Sequence, residues 1–156
     1  MRIRVLAVGS RMPDWVRETY ADYTMRLRSS LKLTLLEIPA GPRGAPSAAQ
    51  AAVRIEAKRL LVALRPKEFV VALDEKGDEF TTREFASWLD ARRQAGRELA
   101  FIIGGPDGLD PDVLARADFK LSLSRLTLPH ALVRVLLAEQ LYRAQSVLEN
   151  HPYHRE

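Results

Sequence analysis

Cysteine is absent from this 156-residue chain, which excludes disulfides and thiolate metal sites. Histidine is scarce, with 3 in all, and a zinc site built on them would need carboxylates from elsewhere, so no metal is expected. No apolar run is long enough to span a bilayer, so no membrane partner is expected. The opening residues MRIRVLAVG are too short for a signal peptide and read as a first strand. Taken with the missing cysteine, this points to a cytoplasmic protein. Three catalytic signatures are missing as well. The glycine run Gly104-Gly105-Pro106-Asp107-Gly108 is neither G-x-G-x-x-G nor a P-loop. Gly9-Ser10 ends a strand but is no G-x-S-x-G elbow. Phosphate cradling and serine nucleophilic catalysis are therefore not indicated.

What is present is an ordinary globular composition, 47% hydrophobic and 28% charged. The length suits one domain over residues 1–156 with a core of its own. A formal net charge of +4 permits a nucleic-acid partner without requiring one. Apolar runs at Ile3–Val8, Leu33–Ile38, Phe69–Leu73, Leu99–Ile103 and Lys120–Leu123 predict five strands. Between them, helices are expected from Asp14, over Ala48–Leu64 with Ser47 as cap, over Thr82–Gln94 with Thr81 and Glu84 at capping-box spacing, around Pro111–Arg116, and to about Leu148. Asp74-Glu75-Lys76-Gly77 reads as a turn, Pro39–Ser47 as a loop, and the tail from Asn150 as irregular. Alternation of strands and helices, with continuous apolar middle strands, predicts an α/β fold with a mainly parallel sheet flanked by helices.

Ligands of open parallel sheets sit beyond the carboxyl ends of the strands. Three such ends stand out: Leu73-Asp74, Ile103-Gly104-Gly105 and Leu123-Ser124. Glycines there let a ligand approach the backbone, although a plain strand-to-helix turn is the simpler account of that loop taken alone. His130 opens the last helix, whose positive dipole end favours the neutral imidazole; it is either a proton acceptor or a structural residue holding the turn Thr127–Pro129. Arg134 and Arg143 interrupt a helix that is apolar almost all round. Their heads either reach solvent over packed stems or meet a polyanion or a second subunit. In the tail, Tyr153, His154 and Arg155 combine an aromatic ring with cationic donors, a set able to stack on a base and bind a phosphate, or simply a frayed end. Leu132, Val133, Val135, Leu136, Leu137 and Leu141 cover more of the last helix than one small sheet can hide, which predicts a homodimer.

Several segments together resemble the RlmH-type large-subunit ribosomal RNA methyltransferases, small members of the SPOUT superfamily. They are AVGSRMPDWV at Ala7–Val16, EIPAGPRG at Glu37–Gly44, IGGPDGL at Ile103–Leu109, LSLSRLTLPHALVRVLLAEQLYRA at Leu121–Ala144 and NHPYHRE at Asn150–Glu156. The resemblance runs the whole chain and is weakest over Ala48–Lys67. It implies methyl transfer from S-adenosylmethionine to N3 of a pseudouridine in helix 69 of 23S rRNA, acting on the assembled ribosome. It also implies a homodimer and a C-terminal trefoil knot, which composition could not have suggested. Carried over residue by residue, the cofactor site is Leu73, Gly104, Leu123, Ser124, Arg125, Leu126, Thr127 and Leu128. Arg125 is a variable position of that run, so its side chain is not expected to decide binding. Candidates for handling the N3 proton are His130, His154 and Arg155, with Glu139 beside them. Candidates for RNA contact are Arg134, Tyr153, His154 and Arg155. Two other readings stay open: a different adenosine-cofactor α/β enzyme acting on a small molecule, and a non-catalytic ribosome-binding protein.

Overall fold

The computed structural model describes residues 1–27 and 30–155; Glu156, the last residue of the tail motif, lies outside them. Five strands, β1 (Arg2–Val8), β2 (Lys32–Ile38), β3 (Phe69–Glu79), β4 (Leu99–Ile103) and β5 (Phe119–Ser122), form one sheet in the order β2-β1-β4-β3-β5. Every pairing is parallel, so all the carboxyl ends share one edge. The helices are α1 (Asp14–Arg26), α2 (Ala49–Ala63), α3 (Thr82–Gln94), α4 (Pro111–Arg116) and α5 (His130–Leu148).

Alternation along the strands divides the core in two. Ile3, Val5, Ala7, Val71, Leu99, Phe101 and Ile103 face one side, where they pack with Phe85 and Leu89 of α3 and Leu137 and Leu141 of α5. Leu6, Val8, Val70, Ala100 and Ile102 face the other, under Leu60 of α2 and Val113 of α4. The apolar run of α5 is thus explained in part by position: the helix lies over the sheet with α1 and α3 against its flanks.

Three local expectations need correction. Asp74–Gly77 does not end β3, which runs on to Glu79 while its register against β5 slips between Leu73 and Asp78. The Asp74 carboxylate accepts the Lys76 amide at 3.1 Å, so the turn chemistry is absorbed inside the strand. Gly77 is what makes this possible, since a Cβ there would lie 2.7 Å from the Lys120 carbonyl. Ser47 does not cap α2; it sits inside a 3-10 turn, Pro46–Ala48, and the N-cap is Ala48 with no side-chain bond. The tail is not irregular, because Pro152–Arg155 forms a 3-10 turn. The capping box is as expected: Thr81 and Glu84 each accept the other's backbone amide.

Candidate active site at the carboxyl edge

Because β4, β3 and β5 are neighbours, the carboxyl ends of β4 and β5 converge beside Leu73, the last residue of β3 before its register slips. Ala72 pairs with Ile102 and Leu73 with Leu121, which brings Leu73, Gly104 and the start of the loop after β5 to one level of the sheet. The loop Leu123–Leu128 is held by its own polar groups. Ser122 Oγ donates to the Ser124 carbonyl at 2.9 Å, and the Leu126 amide donates to Ser124 Oγ at 2.9 Å. The extension of β3 brackets it: Thr127 Oγ1 donates to Glu75 at 3.1 Å, and Arg125 lies 3.7 Å from Glu79. Glu75 and Glu79 were not singled out in the sequence, because a turn assigned at Asp74–Gly77 hides them. With Ser124 and Thr127 spent locally, the loop offers mainly backbone groups and leucines, and Leu126 is 75% exposed.

The glycine loop after β4 folds on itself. The Gly108 amide donates to the Gly105 carbonyl at 3.1 Å, with Gly108 at φ +77°. A Cβ on Gly104 would meet the Gly108 carbonyl at 2.9 Å, so glycine is a packing requirement here. The loop also meets the Pro39–Ser47 loop through Arg43, whose Nε donates to Asp107 at 2.8 Å. The same guanidinium clasps Glu56 of α2 with both terminal nitrogens, at 2.6 and 3.0 Å.

Beside β1, His130 and Arg134 rise from the first turns of α5. The His130 ring lies against Gly9, its Nε2 3.8 Å from where a Gly9 Cβ would stand. Its pKa falls below the ordinary imidazole value, first through burial and then through the nearby Arg134 and Arg43 cations. The direction matches the helix-dipole expectation, with burial as the leading cause. A folded-state pKa below the unfolded one means the unfolded chain binds the extra proton first. The stability from neutral His130 is present above the unfolded value of about 6.5 and is lost as pH falls through the lower folded value. An NMR titration should find the midpoint of His130 below those of free histidine; a midpoint at or above them would contradict the geometry.

Arg134 corrects an expectation. Its side chain is 3% exposed, with Nη1 on Glu37 at 2.8 Å and Nη2 on the Gly9 carbonyl at 2.7 Å. The guanidinium ties the ends of β1 and β2 to α5 and is not presented to an external RNA. Its Nε and the nearby Tyr20 hydroxyl are buried without hydrogen-bond partners among the described residues.

The tail forms a separate group over α5. Tyr153 packs against Tyr142 with ring centroids 4.5 Å apart and planes tilted by 53°, lies under the Arg143 guanidinium at 4.8 Å and donates to Glu139 at 3.2 Å. Glu139 also accepts from Arg143 at 2.8 Å and Gln140 at 2.7 Å, so both of its oxygens are engaged. His154 lines a groove with Thr82, Arg83, Leu136, Gln140 and Arg143. Its Nδ1 is buried with no partner among the described residues. Arg155 is exposed. The cofactor candidates thus come together, His130 and Arg134 lie toward β1, and Tyr153 and His154 line the groove over α5 that Tyr23 of α1 and Thr82 and Arg83 of α3 flank.

A parallel sheet with loops at the carboxyl ends of β4 and β5, set on either side of β3, is the ligand-binding architecture of open α/β proteins. The family model described as "Predicted SPOUT methyltransferase" matches residues 1–154, and the chain belongs to that family. Among its curated relatives is Ribosomal RNA large subunit methyltransferase H of Alkalilimnicola ehrlichii, 53% identical over 155 residues and covering 99% of each chain. The protein of the same name from Thiobacillus denitrificans is 50% identical over 156 residues, all of both chains. At the level of fold alone, the crystal structure of a probable methyltransferase from Bordetella pertussis Tohama I superposes with a TM-score of 0.59 at 19% identity, covering 92% of this chain and 93% of that one.

Proposed function

We propose that this protein methylates N3 of a pseudouridine in helix 69 of 23S rRNA, on the assembled ribosome, with S-adenosylmethionine as donor. The observation that carries the reading is the convergence of Leu73, Gly104 and Leu123–Leu128 on three adjacent strands. The full-length similarity to proteins named for ribosomal RNA methylation supports the substrate. The donor residues fit the group: backbone amides and carbonyls can read a purine edge, and half-buried Leu73, Leu123 and Leu128 can wall it. S-adenosylmethionine, when bound, supplies an activated methyl on a sulfonium. The chain's own residues then have to align the base, exclude water and take the N3 proton. His130, kept neutral, His154, with an unpartnered ring nitrogen among the described residues, and Arg155 are the candidates for the proton; Tyr153, His154 and Arg155 are the candidates for holding the RNA.

The reading includes one methyltransferase domain over residues 1–156, the trefoil knot that family membership implies, and a cytoplasmic site of action beside the ribosome. It also includes a homodimer. Val135, Leu137 and Leu141 are buried within the chain, while Leu132, Val133 and Leu136 of α5 stay half-covered and available to a second subunit.

The test incubates the protein and labelled donor with ribosomes from a strain lacking the modification, with free rRNA alongside. Label at one pseudouridine of the ribosomal large-subunit RNA, and a dimer by light scattering at micromolar concentration, is the expected outcome. Label on free nucleosides instead would move the reading to a small-molecule enzyme. Ribosome association without donor binding would move it to a non-catalytic binder.

A further inference from the structure

Two segments that carry the family resemblance, around Gly41–Gly44 and Gly104–Gly108, are 60 residues apart in sequence and meet in space. Arg43 joins them. Its terminal nitrogens form a fork on Glu56, which is 2% exposed and also accepts the Gly41 amide at 2.8 Å. That buried end is anchored: a Cβ on Gly41 would stand 2.5 Å from the Ala52 carbonyl, so the loop lies directly on α2. The remaining Nε reaches out to Asp107, whose side chain is 42% exposed. Gly105 is pressed against the same cluster, with a virtual Cβ 3.5 Å from Glu56 and 3.6 Å from Arg43.

The two ends of this guanidinium serve different purposes. The fork satisfies a buried carboxylate, and breaking it costs stability. The Asp107 arm is half in water, where an ion pair contributes little to stability. That arm is the side-chain tie between the Pro39–Ser47 loop and a turn with three glycines, Gly104, Gly105 and Gly108, which is otherwise closed by its own Gly108–Gly105 hydrogen bond and by packing. Restraint before binding removes an ordering cost that the ligand would have to meet.

We propose that Arg43 is a positioning residue for the methyl donor: anchored on Glu56, it holds Asp107 and thereby sets the glycine loop that presents Gly104. This rests on the reading of Gly104 as a donor contact. The variant of choice is Asp107→Asn, which takes the charge off the exposed arm, weakening it to a hydrogen bond on a neutral acceptor, and leaves the buried fork. Donor affinity by calorimetry should fall about fivefold, the rate at saturating donor should stay within about twofold of wild type, and the melting temperature should hardly move. In donor-free protein, amide exchange across residues 104–109 should quicken. Arg43→Lys, which keeps the charge and loses the fork, should weaken donor binding in the same direction, and Asp107→Glu should restore part of it. Equal loop exchange in wild type and Asp107→Asn overturns the positioning role, whatever the donor does. Equal donor affinity with faster exchange overturns its link to the donor. Failure of the wild type itself to bind donor would instead overturn the functional reading.

Discussion

Deleting the residues after Asn150 should leave donor binding intact and lower methylation of ribosomes by about 100-fold or more, the scale on which misplacing a reactant defeats catalysis. The donor candidates lie on β3, on the loops after β4 and β5, and none is in the tail. Tyr153 instead fastens the tail to α5, through the Tyr142 ring, the Arg143 cation and the Glu139 carboxylate. That dock presents His154 in the groove beside Thr82 and Arg83 and leaves Arg155 outside. Tyr153→Ala, which keeps the length and removes the fastening, should reproduce much of the loss. Tyr153→Phe keeps the ring and forfeits one hydrogen bond, so it should retain most activity. Single-turnover methylation beside calorimetric donor binding separates the two effects. A truncated protein with wild-type activity would remove the tail from the mechanism.

The second large effect is on stability. Arg134→Ala should destabilise the protein by about 3 kcal/mol, because it strips buried carbonyls and a carboxylate of their donor and empties the space of the stem. The partners lost are Glu37 and the Val8 and Gly9 carbonyls. For a chain of this length that is a fall in melting temperature of roughly 6–12 °C, measured at fixed protein concentration because of the expected dimer. Glu37→Gln should cost much less, since Glu37 is half in solvent and its share of the pair is screened. The same Arg134 variant should raise the pKa of His130, which the arginine now depresses. Melting within about 2 °C of wild type would mean that solvent replaces the guanidinium without cost.

Periodicity reached the five strands and the five helices, because burial on both faces leaves unbroken apolar runs such as Val70–Ala72 and Leu99–Ile103. The extension of β3 was hidden for a physical reason. Asp74 and Gly77 are turn formers, and only tertiary contact with Lys120 shows that they make a slipped strand instead. Arg134 was misjudged because a lone cation on an apolar helix gives no sign of partners 97 and 125 residues away. The Arg43–Asp107 link was equally out of reach, since neither loop has a periodicity that points at the other. The docking of the tail depended on which face of α5 the sheet leaves uncovered.

The position of β5 at the edge of the sheet, beside β3, also sets the order in which the site can come into being. Residues up to Ile103 contain four contiguous strands, β2-β1-β4-β3, and much of one core. The candidate donor loop begins only after Ser122, and α5 must then lie over strands formed much earlier in the chain. Such distant closures slow folding. During synthesis, the first four strands can gather on the emerging polypeptide before the candidate donor loop, Leu123–Leu128, and α5 have been added to them.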